Sequence, residues 1–105
     1  MALVKSRQVS VYINEGDEWQ HRPLHLEILK MLHREGMAGG TVLRAVAGFT
    51  HVEGVHSSSL VDAGGKIPIV IQFIDTPTRV ERVLPFLREM TKTRLITVQD
   101  IQILQ

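Results

Sequence analysis

The sequence predicts an α+β sandwich with element order β-α-β-β-α-β, and three observations carry that prediction. Two stretches show the apolar stripe of a helix, and four show the alternating or continuous apolar runs of strands. The stretches interleave so that a strand–helix–strand unit occurs twice, the pattern of a split βαβ sandwich. Right-handed crossovers then place both helices on one face of a four-stranded antiparallel sheet.

Each element follows from its residues. Residues 8–14 alternate, with Val9, Val11 and Ile13 on one side and Ser10 and Tyr12 on the other. Residues 15–22 read as a polar loop carrying Trp19, expected to pack over the sheet edge. Pro23 suits the first turn of a helix, where its missing N–H costs nothing. Leu24, Ile28, Met31 and Leu32 form the stripe of that helix, and Gly36 closes it. The second strand is expected over residues 41–49. The third, 67–74, is apolar on both faces and so belongs centrally in the sheet. A second helix starts near residues 75–78: Thr78 and Glu81 have capping-box spacing, and Thr76 before Pro77 is an alternative N-cap. Its stripe is Val80, Val83, Leu84, Leu87 and Met90, with Pro85 expected to bend it. A short basic loop over 91–97 leads to a last strand over 98–104.

The 105 residues support one domain, 1–105, and an apolar fraction of 44% is normal for a globular protein. No cysteine is present, which excludes disulfides and thiolate metal sites and suits a cytoplasmic protein. No stretch approaches the roughly twenty apolar residues of a membrane span, and residues 1–5 do not read as a signal peptide. A formal charge of +1 gives no bulk attraction to nucleic acid. The helices cannot cover the second face of the sheet, yet the third strand is apolar there too. An oligomer is expected to cover it.

The densest signal is the run 36–49, Gly-Met-Ala-Gly-Gly-Thr-Val-Leu-Arg-Ala-Val-Ala-Gly-Phe, followed by a long polar loop over 50–66. Loops of that length are usually functional or mobile. With Glu15, Pro23-Leu24, Ile67-Pro68-Ile69-Val70-Ile71, Asp75 and Leu95-Ile96-Thr97, this run resembles the PII signal-transduction superfamily, and more closely the PII-like family of unknown function. The resemblance covers about Val9 to Leu104. It implies a ferredoxin-like subunit in a homotrimer with the three sheets facing inward. It also implies an adenine nucleotide in the clefts between subunits, and signalling to a partner such as a membrane transporter or channel through loop 50–66. The matching positions depart from PII at three points, the first being a spacing from Gly39 to Gly48 that is one residue longer. Thr50 replaces the last glycine of Gly-Phe-Gly, and Thr93-Arg94 stand where PII has a glycine-rich phosphate loop.

The candidate ligand-binding residues are Gly39, Gly40, Thr41, Gly48, Phe49, Thr50, Lys66, Lys92 and Arg94. Gly39, Gly40 and Thr41 offer backbone N–H groups and a hydroxyl to phosphate oxygens, as a nest does; the plainer reading is a helix-to-strand turn. Lys92 and Arg94 suit phosphate, but basic residues at a helix C-terminus also complement its dipole. Arg44, on an apolar strand, is expected in an ion pair between subunits, in an anion contact or at a solvent edge. His51 and His56 share the long loop, but zinc normally takes three or four protein ligands, so no metal site is assigned. No nucleophile–base pair or carboxylate dyad is visible, so no catalytic residue is assigned. The expectation is a non-enzymatic PII-like regulator. The alternatives are a metal-binding trimer resembling the cation-tolerance proteins and an interaction subunit that needs no ligand.

Overall fold

The computed structural model describes residues 1–50 and 67–105. Its main sheet contains β1 (Leu3–Asn14), β4 (Thr41–Arg44), β5 (Pro68–Asp75) and β6 (Leu95–Leu104) in the spatial order β4-β5-β1-β6. All three pairings are antiparallel. The helices α1 (Leu24–Arg34) and α2 (Pro77–Thr91) pack on one face, and a small hairpin of β2 (Glu18–Trp19) and β3 (Arg22–Pro23) precedes α1. This is the expected ferredoxin-like βαββαβ order. The third strand of the main sheet, β5, does lie inside it, between β4 and β1.

The core forms where the predicted stripes meet. Val9, Val11, Ile13, Ile69, Ile71 and Phe73 from the sheet close against Leu24, Ile28, Met31 and Leu32 of α1 and Val80, Val83, Leu87 and Met90 of α2. Gly36 follows the last turn of α1 with φ +77°, a conformation that favours glycine. Thr76 caps α2, its side chain accepting from the Arg79 N–H at 3.3 Å. Of the two expected caps it is Thr76 that acts, because Pro77 holds the N1 position and Thr78 is already helical. The helix continues through Pro85 as one element.

Four boundaries differ from expectation. β1 begins at Leu3, because its ladder with β6 extends to the Leu3–Leu104 pair, and β6 correspondingly begins at Leu95, opposite Tyr12. The basic loop is therefore only residues 92–94. Residues 18–23 form a hairpin rather than a plain loop, turning on Gln20 (φ +53°) and His21 (φ +65°). Two positive φ values are what a two-residue hairpin turn requires, although neither residue is the usual asparagine or glycine. The strand expected over 41–49 stops at Arg44, after which one backbone bond, from Ala45 N–H to the Pro68 carbonyl, continues toward β5.

The two faces of the sheet differ in charge. On the helix side, beyond the core, Arg7 bridges Glu81 at 3.0 Å and Asp100 at 3.3 Å. The hydrogen bond with Glu81 raises the Arg7 pKa above its ordinary value, so the guanidinium stays charged throughout the useful pH range. The open face, by register, carries Val4, Tyr12, Leu43, Val70, Ile74, Leu95, Ile101 and Ile103 among serine, threonine, glutamine, asparagine and proline. No charged residue stands on it among the paired positions. Leu43 is 49% exposed and Leu95 60%.

Candidate functional site

The end of the sheet where β1 stops and β5 starts gathers polar groups from four segments. Asn14, the last residue of β1, is buried, and its side-chain Oδ1 accepts from the Thr50 hydroxyl at 2.5 Å. The Asn14 N–H donates to Asp17 Oδ2 at 2.9 Å, and Asp17 Oδ1 accepts from Arg94 Nη2 at 2.9 Å. Glu15 donates its N–H to the Ile67 carbonyl at 2.8 Å, while its carboxylate pairs with Arg44 at 2.5 Å. Thr50 and Arg94, expected together at the ligand site, are thus joined through Asn14 and Asp17. Arg44 pairs within its own chain and reaches solvent from an edge strand, the plainer of its expected roles.

Beside this cluster lies a cavity of about 310 Å³, with Asp17, Glu18 and Trp19 on one side and Lys92, Thr93 and Arg94 on the other. Lys92 terminates α2 with φ +55°, and its carbonyl accepts from Arg88 Nη1. The same nitrogen donates to the Arg94 carbonyl at 3.1 Å, so Arg88 holds the backbone of loop 92–94. The lining carries two cations, Lys92 and Arg94, and two carboxylates, Asp17 and Glu18, of which Arg94 and Asp17 pair directly. Trp19 packs against the core and shares a cavity with Met31 of α1 and Phe86 and Met90 of α2, so it lies beside the helices rather than over the sheet edge as expected.

Gly39, Gly40 and Thr41 are not part of this cluster. Thr41 pairs with Gln72, whereas Asn14 pairs with Pro68, and those two β5 positions are about 13 Å apart at the rise of a strand. The glycines line two slightly smaller cavities, about 280 Å³ with Leu29 and Leu32 and about 290 Å³ with Gln72 and Phe73. A side chain at Gly40 would meet Leu29 Cδ2 at 3.1 Å and Leu32 Cδ1 at 3.4 Å, so close packing on α1 accounts for this glycine. At Gly39 a Cβ would meet nothing within 4 Å, so no close contact among the described residues accounts for it. Phe49, 67% exposed, and Gly48, whose added Cβ would lie 3.5 Å from the Pro68 ring, follow the end of β4. Lys66, His51 and His56 lie outside the described residues. Among the described residues no three potential ligands gather around a metal-sized space.

Two buried or half-buried carboxylates at these positions carry more structure than the sequence signalled. Asp75, 4% exposed, accepts from Ala38 N–H at 2.9 Å and Thr76 N–H at 2.8 Å, tying the glycine-rich turn to the start of α2. Asp17 had only its place in a polar stretch to mark it, because its partner Arg94 is distant in sequence.

Residues 6–103 match the DUF190 family, described as "Uncharacterized ACR". The chain belongs to the DUF190 family. Within it, a UPF0166 protein of Methanocaldococcus jannaschii is 30% identical over 102 residues, covering 96% of this chain and 94% of the relative. A UPF0166 protein of Aquifex aeolicus is 26% identical, with 99% and 98% covered. Among solved structures, a candidate PII-like signaling protein of Thermus thermophilus superposes with TM-score 0.67 at 16% identity, covering 99% of this chain and 94% of that one. CPII, a nitrogen regulatory PII-like protein of Thiomonas intermedia bound to ADP, AMP and bicarbonate, gives TM-score 0.65 at 19% identity, with 99% and 98% covered. At these identities the likeness establishes the fold: this DUF190 chain has a PII-like fold. No helix among its described residues is long and apolar enough to cross a membrane.

Proposed function

We propose that this chain is a non-catalytic regulatory subunit that assembles as a homotrimer and holds an adenine nucleotide in clefts between subunits. The observation that carries the proposal is the open sheet face. It carries no charged residue at its paired positions, and one apolar row, Leu43–Val70–Tyr12–Leu95, crosses all four strands; a monomer rarely leaves such a row in water. The likeness to PII-like proteins supports burying it inward in three copies. ADP and AMP in a structural neighbour support the ligand class.

In such an assembly the two groups of candidate residues act from different subunits. Gly39 and Gly40, which lead into the edge strand β4, and Thr41 at its start would face Lys92 and Arg94 of the next copy, in keeping with their separation within one chain. Backbone N–H groups and the Thr41 hydroxyl meet phosphate oxygens, and the cations balance their charge. Thr50 stands at the foot of the long loop and is bonded to the Asn14–Asp17–Arg94 cluster. A ligand at Arg94 therefore has a route to bias loop 50–66 toward or away from a partner. It shifts that equilibrium only by its differential affinity for the two loop states. A transporter or channel is the partner class in view, at a cytoplasmic surface.

Calorimetric titration with ATP, ADP and AMP, alongside light scattering, tests the proposal. A trimer with saturable nucleotide heat is the expected result. A monomer, or no heat at millimolar nucleotide, rejects it.

A further inference from the structure

Arg94 meets its ligand site already occupied. Asp17 Oδ1 lies 2.9 Å from Arg94 Nη2, and the two side chains are only 17% and 20% exposed. The carboxylate is anchored independently, since Oδ2 accepts the Asn14 backbone N–H at 2.9 Å. The guanidinium is engaged at one prong: among the described residues Nη2 alone of its nitrogens has a hydrogen-bond partner. The loop backbone does not depend on this contact. Arg94 N–H donates to the Thr91 carbonyl at 3.0 Å, and Arg88 donates to the carbonyls of Lys92 and Arg94. The Arg94 side chain can therefore change partners while its loop stays in place.

We infer that Asp17 is a specificity-determining residue acting through Arg94, a built-in counter-anion that admits phosphate-bearing ligands to this cavity and turns carboxylates away. The inference rests on the reading of this cavity as part of the ligand cleft. A carboxylate ligand would replace one monoanion by another at Arg94 and leave Asp17 without its partner in a half-buried place, a loss that one further hydrogen bond to the guanidinium does not offset. A phosphate ester brings close to two charges and three acceptor oxygens. A carboxylate and a phosphate can both take the two prongs of the guanidinium fork, so the second charge and the third acceptor oxygen are what separate them. Only the phosphate outcompetes the resident carboxylate. Glu18 lines the same cavity without touching Arg94, and so separates this contact from the general charge of the cavity.

The test is calorimetry with ADP and with acetate on the wild-type chain and three variants, each checked for a native thermal transition. Asp17→Asn is expected to bind ADP about tenfold more tightly and to acquire measurable acetate binding, because the competing charge is gone. Glu18→Gln, the same change in net charge, is expected to move ADP affinity by no more than about twofold. Arg94→Gln is expected to weaken ADP about tenfold. If the wild type binds ADP and Asp17→Asn binds it no more tightly, or still excludes acetate, the inference is overturned while the cleft reading stands. If neither form binds ADP, both fall. Should Asp17→Asn fail to fold, an Arg94→Gln variant that binds ADP like the wild type overturns the inference.

Discussion

Asp75 Oδ2 accepts the Ala38 N–H at 2.9 Å and so fastens the glycine-rich turn to the end of β5. The same carboxylate takes the Thr76 N–H on Oδ1 at 2.8 Å, with Arg79 3.8 Å away. One buried side chain therefore fixes both the turn that leads into β4 and the first turn of α2.

Replacing Asp75 by alanine leaves the Ala38 and Thr76 N–H groups without an acceptor. A loss of about 2–4 kcal/mol is expected, since each bond is made to a charged acceptor. Asp75→Asn keeps one good acceptor and should lose less. Urea denaturation reads both, and an alanine variant as stable as wild type would show that these bonds contribute little.

The two candidate caps of α2 are separable. Thr76→Ala removes the side chain that accepts from Arg79 N–H and should cost about 1 kcal/mol. Thr78→Ala, inside the helix, should change stability by less than about 0.5 kcal/mol. Equal losses would place the cap elsewhere.

The glycines of the run divide by mechanism. Gly36→Ala forces φ +77° on a residue with a Cβ and should cost about 1 kcal/mol. Gly39→Ala meets open space, so its melting temperature should stay near that of wild type. Under the proposed function it should nevertheless weaken ADP, because the new methyl stands where a phosphate approaches the backbone. A Gly39→Ala variant with unchanged ADP affinity would reduce this glycine to a turn residue.

The open sheet face predicts a separation of assembly from folding. Ile101→Glu places a charge on that face, where Ile101 stands opposite Ser6. The variant should elute as a folded monomer with native circular dichroism. An unchanged oligomer would mean that this face is not the contact.

What the sequence disclosed depended on whether the cause was local. The stripes of both helices were readable because period and burial coincide: Leu24, Ile28, Met31 and Leu32 are all buried. The apolar run after Arg44 misled for the converse reason. Val46 is 95% exposed, and apolar composition cannot supply the neighbouring strand that a ladder needs. The hairpin at Trp19 and Arg22 turns on Gln20-His21, which lacks the asparagine or glycine that normally announces such a turn. At the site, Arg94 and Thr50 were visible as residue types, but the residues that join them, Asn14 and Asp17, were not. Their bonds to Thr50 and Arg94 exist only once the end of β1, residue 50 and the end of α2 are brought to one edge of the fold.

Native mass spectrometry of the chain with ADP tests the central claim most directly, because it reads assembly and ligand together. Three chains of 11.8 kDa each, carrying up to one ADP per cleft, is the predicted species. A bare single chain, or a trimer to which ADP never adds, would contradict it.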